Sequence, residues 1–210
     1  MLALDERLGA LLIEAIQPGT ALVDSSTYPS LSSVAELLTS LHAEGAPDPS
    51  YPTVGQRVDY LFESSAKLYA RNPELAEVVT PELYERGHVL ATRLADDASP
   101  TVLLHGDLTP SNILDVGERR GLVAIDPAPC RGDAAFDAID LVLWRADDVR
   151  TIEARADELA SAIGAQPERF LAWCTAFAGM TALELADSPG SSRERIDAVV
   201  TLAARAESAL

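Results

Sequence analysis

Leu104-His105-Gly106-Asp107-Leu108-Thr109-Pro110-Ser111-Asn112-Ile113-Leu114, followed by Ala124-Ile125-Asp126-Pro127, is the stretch that decides how the chain is read. Thr101 to Leu104 is a β-prone apolar run that stops at His105-Gly106-Asp107. Asn112 to Leu114 is a second short run, and Gly121 to Ile125 is a third that stops at Asp126. Short strands that end in an acid recur here, so the spacing predicts tight loops that carry Asp107, Asn112 and Asp126 out of a small sheet.

Helices are predicted on both sides. Ser33 with Glu36 reads as a capping box before Leu37, Leu38 and Leu41. Thr53 with Gln56 reads the same way before Val58 and Leu61. Thr80-Pro81-Glu82 offers a cap, a proline at the first helical position and an acid in the first turn. Gly45 to Pro52 reads as a loop. Downstream, Phe136, Ile139, Val142 and Leu143 form one apolar stripe. Phe170, Trp173, Phe177 and Met180 form another, read as core rather than as a sugar-stacking platform. A last helix is expected from about Ser192 to Ala209. Leu2 to Ile16 reads as a short hairpin, with a helix over Asp5 to Ile16 as the alternative, and Pro18-Gly19 ends it. The expected class is α+β, mainly α-helical, with a short β hairpin at the loop.

Composition narrows the function. The chain has 210 residues and a formal charge of −17. Such a surface repels a polyanion, which argues against nucleic acid as a partner. It is compatible with a cationic small molecule, since acidic clefts concentrate cations. Cys130 and Cys174 suggest neither a disulfide framework nor a zinc site. The longest uncharged apolar run, Phe170 to Leu183, is too short to span a bilayer. With Asp5 and Glu6 near the start instead of a basic segment, no membrane partner and a cytoplasmic location are expected. Nothing in the sequence speaks to oligomeric state. His42, His88 and His105 lack metal-ligand spacing, and neither a Gly-Lys pair nor a G-x-S-x-G elbow occurs.

The central stretch has the spacing H-x-D-L-x-x-x-N of a kinase catalytic loop, with Gly106 at the middle position. Phosphoryl transfer needs few protein parts: a carboxylate to orient the attacking hydroxyl, oxygen ligands for magnesium on the nucleotide, and a scaffold that keeps them in line. Asp107, on a loop after a buried strand, suits the first role. Asn112 and Asp126 suit the second, because magnesium takes hard oxygen donors and usually only one or two protein carboxylates. Taken singly, none of these residues is informative; their joint order is.

The words LLHGDLTPSNIL (residues 103–114), AIDPAPCRGDAAFDAIDLVLW (124–144) and GALLIEAIQPGT (9–20) resemble the aminoglycoside phosphotransferase superfamily of kinase-like enzymes. Within it, Leu103 to Leu143 looks like the streptomycin 6-phosphotransferase and hydroxyurea phosphotransferase branch. The resemblance implies a kinase-like C-terminal lobe, ATP and Mg2+ as cofactors, and transfer of the γ-phosphoryl group to a small-molecule hydroxyl. It implies Asp107 as catalytic base, with Asn112 and Asp126 binding the magnesium–nucleotide. His105 would brace the catalytic loop (105–112), and Asp137 would hold it through backbone contacts. The metal-binding segment would be 124–127.

Residues 1–20 would be the last hairpin and hinge of a nucleotide-binding lobe, and 21–210 the C-terminal lobe. Two departures follow. Ala128 stands where several relatives carry a lysine. There is no G-x-G-x-x-G, and Lys67, the only lysine, reads as a solvated helix residue rather than a phosphate clamp. These departures leave open a kinase-like binding module without activity. Kinases for choline, homoserine or fructosamine share the loop pattern and stay open as well.

Overall fold

Most of the capping signals fold as written. A computed structural model of the chain describes residues 2–43, 46–97 and 100–206. Thr53 and Gln56 make the complete reciprocal box at the start of helix α2 (Val54–Ser65). Thr80 caps α4 (Pro81–Asp96) through Leu83 N. The box assigned to Ser33 is corrected: helix α1 (Leu31–Leu41) begins earlier, and Ser30 accepts from the Ser33 N–H. The cap is therefore one turn upstream, and Ser33 is the third helical residue. Glycine or proline ends several of the remaining helices or begins them, as in α6 (Val149–Ile163), which closes on left-handed Gly164.

Helix α7 (Pro167–Asp187) is the axis of the fold. Phe170, Trp173, Cys174 and Phe177 on it are buried, so the aromatic stripe is core. It packs against α2, α4, α6, α8 (Arg193–Ala203) and the short helices α3 (Lys67–Arg71) and α5 (Ile139–Leu143). Gly87 of α4 faces α7 so closely that an added Cβ would lie 2.4 Å from the carbonyl oxygen of Ala176. The last helix stops at Ala203, short of the Ala209 expected, and that residue lies outside the described ones. Gly45, the expected start of the loop before α2, is likewise outside them.

Small sheets carry the loops. A hairpin joins β1 (Ala3–Asp5) to β2 (Ala10–Leu12), which decides against a helix there. Strand β3 (Thr20–Ala21) pairs with β5 (Ile113–Asp115), and β5 pairs with β6 (Leu122–Ala124). Strand β4 (Thr101–Leu104) pairs with β7 (Cys130–Asp133). The chain thus leaves β4 through residues 105–112 into β5, and returns through 125–129 into β7. Both loops therefore join the β4–β7 pair to the β3–β5–β6 sheet. Buried Asp133 ties the end of β7 to α7 by accepting from Arg169 Nε and from Trp173 Nε1 at 2.9 Å. Cys130 and Cys174 are both buried and unpaired. No helix among the described residues is long and apolar enough to cross a membrane.

Candidate active site

The loop after β4 is shaped by Gly106. Its φ is +76°, and a Cβ there would lie 2.1 Å from the Ala128 carbonyl oxygen. Only glycine fits both the left-handed backbone and that approach. The approach is sealed by a bond from Ala128 N to His105 O at 2.9 Å. The two loops expected to act together are therefore stitched together at their bases.

Asp137, on the 3-10 turn Ala134–Ala138, holds the same loop from below. Its Oδ2 accepts the His105 N–H at 2.8 Å and its Oδ1 accepts the Gly106 N–H at 2.9 Å. The buried imidazole of His105 bonds the carbonyl of Ile125 through Nε2 at 2.9 Å and accepts the Asp107 N–H at Nδ1, 3.3 Å. His105 and Asp137 both lie under the loop rather than at its surface.

Asp107 presents a fixed carboxylate. Arg57 Nη2 donates to Oδ1 at 2.8 Å, and Asn112 Nδ2 donates to Oδ2 at 3.0 Å and to the Asp107 carbonyl at 2.9 Å. Because the amide nitrogen of Asn112 is spent on Asp107, its Oδ1 is the atom left for a ligand. Asp126 follows directly on Ile125, whose N–H donates to Asn112 O at 2.9 Å. Asp126 is exposed and adopts φ +56°, a left-handed conformation uncommon outside glycine and tolerated best by Asn and Asp. An amide oxygen and a carboxylate are hard donors of the kind magnesium takes, and the donor set fits a metal that keeps its other positions for water and phosphate. Among the described residues, no group of three or more His, Cys, Asp or Glu forms a metal cage.

A cavity of about 150 Å3 lies beside this loop, lined by Leu61, Phe136, Phe177 and Met180 and by the carboxylates of Asp107, Asp140 and Glu184. Burial pushes the Asp140 carboxyl from 3.8 up to about 7, and the like charges of Glu184 and Asp107 push the same way. Loss of hydration also raises Glu184, which stands at the exposed rim.

Arg57, Asp140 and Glu184 were not singled out by sequence reasoning. The signal was a charge on an apolar face. Arg57 sits among Val54, Val58 and Leu61, and Asp140 follows Phe136 and Ile139. Glu184 ends the apolar run of α7. Lys67 is exposed, as expected of a solvated residue.

Comparison with known proteins decides the family. Residues 1–188 match the model of the aminoglycoside/hydroxyurea antibiotic resistance kinases. The chain belongs to that family. A hydroxyurea phosphotransferase of Kitasatospora aureofaciens is 34% identical over 182 residues, covering 82% of this chain and 50% of that protein. A streptomycin 3''-kinase of Klebsiella pneumoniae is 36% identical over 88 residues, covering 38% of this chain and 33% of that protein. The chain thus spans about half the length, or less, of the curated family relatives it matches. A crystal structure of a choline/ethanolamine kinase family protein from Mesorhizobium loti superposes with a TM-score of 0.59 at 19% identity, over 99% of this chain and 72% of that one. That likeness gives the kinase-like α+β fold.

Proposed function

We propose that this chain acts in ATP-dependent transfer of the γ-phosphoryl group to a hydroxyl of a small molecule, an aminoglycoside of the streptomycin type or hydroxyurea. One observation carries the reading: both oxygens of Asp107 are fixed, by Arg57 and Asn112, at the edge of a pocket that Asp137, Asp140 and Glu184 also line.

Each carboxylate oxygen of Asp107 keeps a free lone pair after those bonds. Asp107 accepts a hydrogen bond from the acceptor hydroxyl and takes its proton as the new O–P bond forms and the β–γ bridge of ATP breaks. Arg57 and Asn112 keep the carboxylate in register, so the attacking oxygen meets the phosphorus in line. Asn112 Oδ1 and Asp126 would hold magnesium, which when bound neutralises charge on the β- and γ-phosphates. His105 and Asp137 hold the loop from beneath. Asp140 and Glu184 pair with an ammonium or guanidinium of the acceptor, which favours a cationic antibiotic. Hydroxyurea stands beside it as an acceptor because the relative matched over 182 residues is a hydroxyurea phosphotransferase.

The test is transfer from γ-labelled ATP with magnesium to streptomycin, hydroxyurea and choline, each offered alone to the purified chain. Label is expected on streptomycin or hydroxyurea. Label on choline and on neither of the others overturns the acceptor assignment. Calorimetry with magnesium-ATP separates a kinase from a binding module, since a chain that takes up no nucleotide cannot be the former.

A further inference from the structure

Tyr60 of α2 is an exposed aromatic residue tied to the proposed base. It keeps 60% of its surface exposed. The guanidinium carbon of Arg57 lies 5.4 Å from the centre of its ring, and Arg57 Nη2 donates to Asp107 Oδ1 at 2.8 Å. With a C–N bond of about 1.3 Å, the ring centre is at most about 10 Å from that oxygen.

The helix sets the ring on the side of the catalytic loop. Val54, Val58 and Phe62 are buried and mark the core face of α2. Arg57, Tyr60 and Leu61 share one flank, at the i, i+3 and i+4 spacing of neighbours on a helix. That flank meets the loop, because Arg57 bonds Gly106 and Asp107 and Leu61 lines the pocket beside them. The opposite flank looks elsewhere: Asp59 Oδ1 lies 3.0 Å from His88 Nε2 of α4. Tyr60 thus continues the wall that Leu61 begins, out toward solvent.

Size gives the ring a use. The pocket beside Asp107 holds about 150 Å3, below the roughly 300–1,000 Å3 of sites that enclose a drug-sized ligand. A molecule of a few heavy atoms fits inside it. A larger acceptor can place only one end there, with its hydroxyl at Asp107, and its body lies outside. An exposed aromatic face near the base offers that body apolar contact, and its electron-rich surface attracts a cationic group. The carboxylates of Asp107, Asp140 and Glu184 in the pocket favour the same charge.

We propose that Tyr60 is a specificity-determining residue: its exposed face seats the body of a ring-bearing, cationic acceptor whose hydroxyl is presented to Asp107. The proposal rests on the phosphotransferase reading for the role of Asp107, while the seat itself is a matter of binding. It separates the two acceptors of that reading, since hydroxyurea has no ring to lay on Tyr60 and streptomycin has.

The experiment is calorimetry of streptomycin binding to the full chain and to its Tyr60→Ala and Tyr60→Phe variants, with thermal melts to show that each is folded. Tyr60→Ala is expected to weaken streptomycin about three- to tenfold, with the Kd for magnesium-ATP unmoved. Tyr60→Phe keeps the ring and is expected to bind streptomycin as the parent does. In the transfer assay the loss falls on KM rather than on kcat. Equal binding by a folded Tyr60→Ala chain, a Phe variant as weak as the Ala one, or a fall in kcat like that of Arg57→Ala overturns the proposal. So does a parent chain that binds no streptomycin. Tyr60-dependent binding without any transfer of label supports the seat and overturns the phosphotransferase reading; transfer to streptomycin that Tyr60→Ala leaves unaltered does the reverse.

Discussion

Arg57 clamps Asp107 from a different helix: Nη2 donates to Oδ1 at 2.8 Å while Nε donates to the carbonyl of the preceding Gly106, also at 2.8 Å. One planar group therefore fixes both the backbone and the side chain of the proposed base. Lysine has a single ammonium and cannot span both acceptors with that geometry. On the proposed mechanism, Arg57→Ala lowers kcat by about 10²-fold, the scale of a misplacement of about 1 Å at a reacting group. Arg57→Lys restores only part of the loss. Steady-state kinetics of the two variants check this, and an unchanged kcat in Arg57→Ala would remove the clamp from the mechanism.

Asp107 itself is expected to matter through proton transfer rather than nucleotide binding. Asp107→Asn keeps the shape and loses the base, so turnover falls by roughly 10²–10⁴-fold. Calorimetry should find magnesium-ATP bound nearly as before. Asp126→Asn behaves in the opposite way: it weakens the metal site, so the magnesium concentration for half-maximal activity rises by about tenfold or more. A magnesium titration of both variants separates the roles.

The raised Asp140 gives a pH signature with a definite sign. Its carboxyl titrates at about 7 in the folded chain against 3.8 ordinarily. A cationic acceptor pairs with the ionised form, so KM for such an acceptor falls as pH rises through about 7. Stability moves the other way. Between 3.8 and about 7 the folded state keeps a proton that the unfolded state has released, so this group makes stability decline as pH climbs across that window. Asp140→Asn is expected to flatten both trends, read from KM against pH and from thermal melts at pH 5 and 8.

Much of this was legible in the letters, and the reason is local. The Thr53–Gln56 box and the Thr80-Pro81 start depend on residues within one turn of each other, so their spacing states their structure. The order His105, Asp107, Asn112 and Asp126 could be read for the same reason: each lies in a loop within three residues of a short strand. What escaped is long-range. Arg57 reaches Asp107 across fifty positions, and His42 reaches Asp137 across ninety-five. The pairing of β4 with β7 spans the whole β5–β6 hairpin, so neither strand announces its partner. For Arg57 and His42 the only mark in the sequence is a polar residue on an apolar face, which says that a partner exists without saying which. The Ser30 cap was missed because Ser30, Ser32 and Ser33 all offer hydroxyls within one turn, and the backbone selects among them.

Gly87 tests the packing that supports the site. Alanine is ordinarily the better helix residue by about 1 kcal/mol. At position 87 the added methyl would meet the Ala176 carbonyl oxygen at 2.4 Å, a backbone atom that can shift only if α7 moves. Phe177, the neighbour of Ala176, lines the pocket beside Asp107. Gly87→Ala is therefore expected to destabilise, by about 1–3 kcal/mol for overpacking, and to raise KM for the acceptor more than it changes nucleotide affinity. Denaturant melts give the first quantity, and acceptor titrations against magnesium-ATP calorimetry give the second. A variant as stable as the parent would mean that α4 and α7 sit farther apart in solution than the 2.4 Å approach requires.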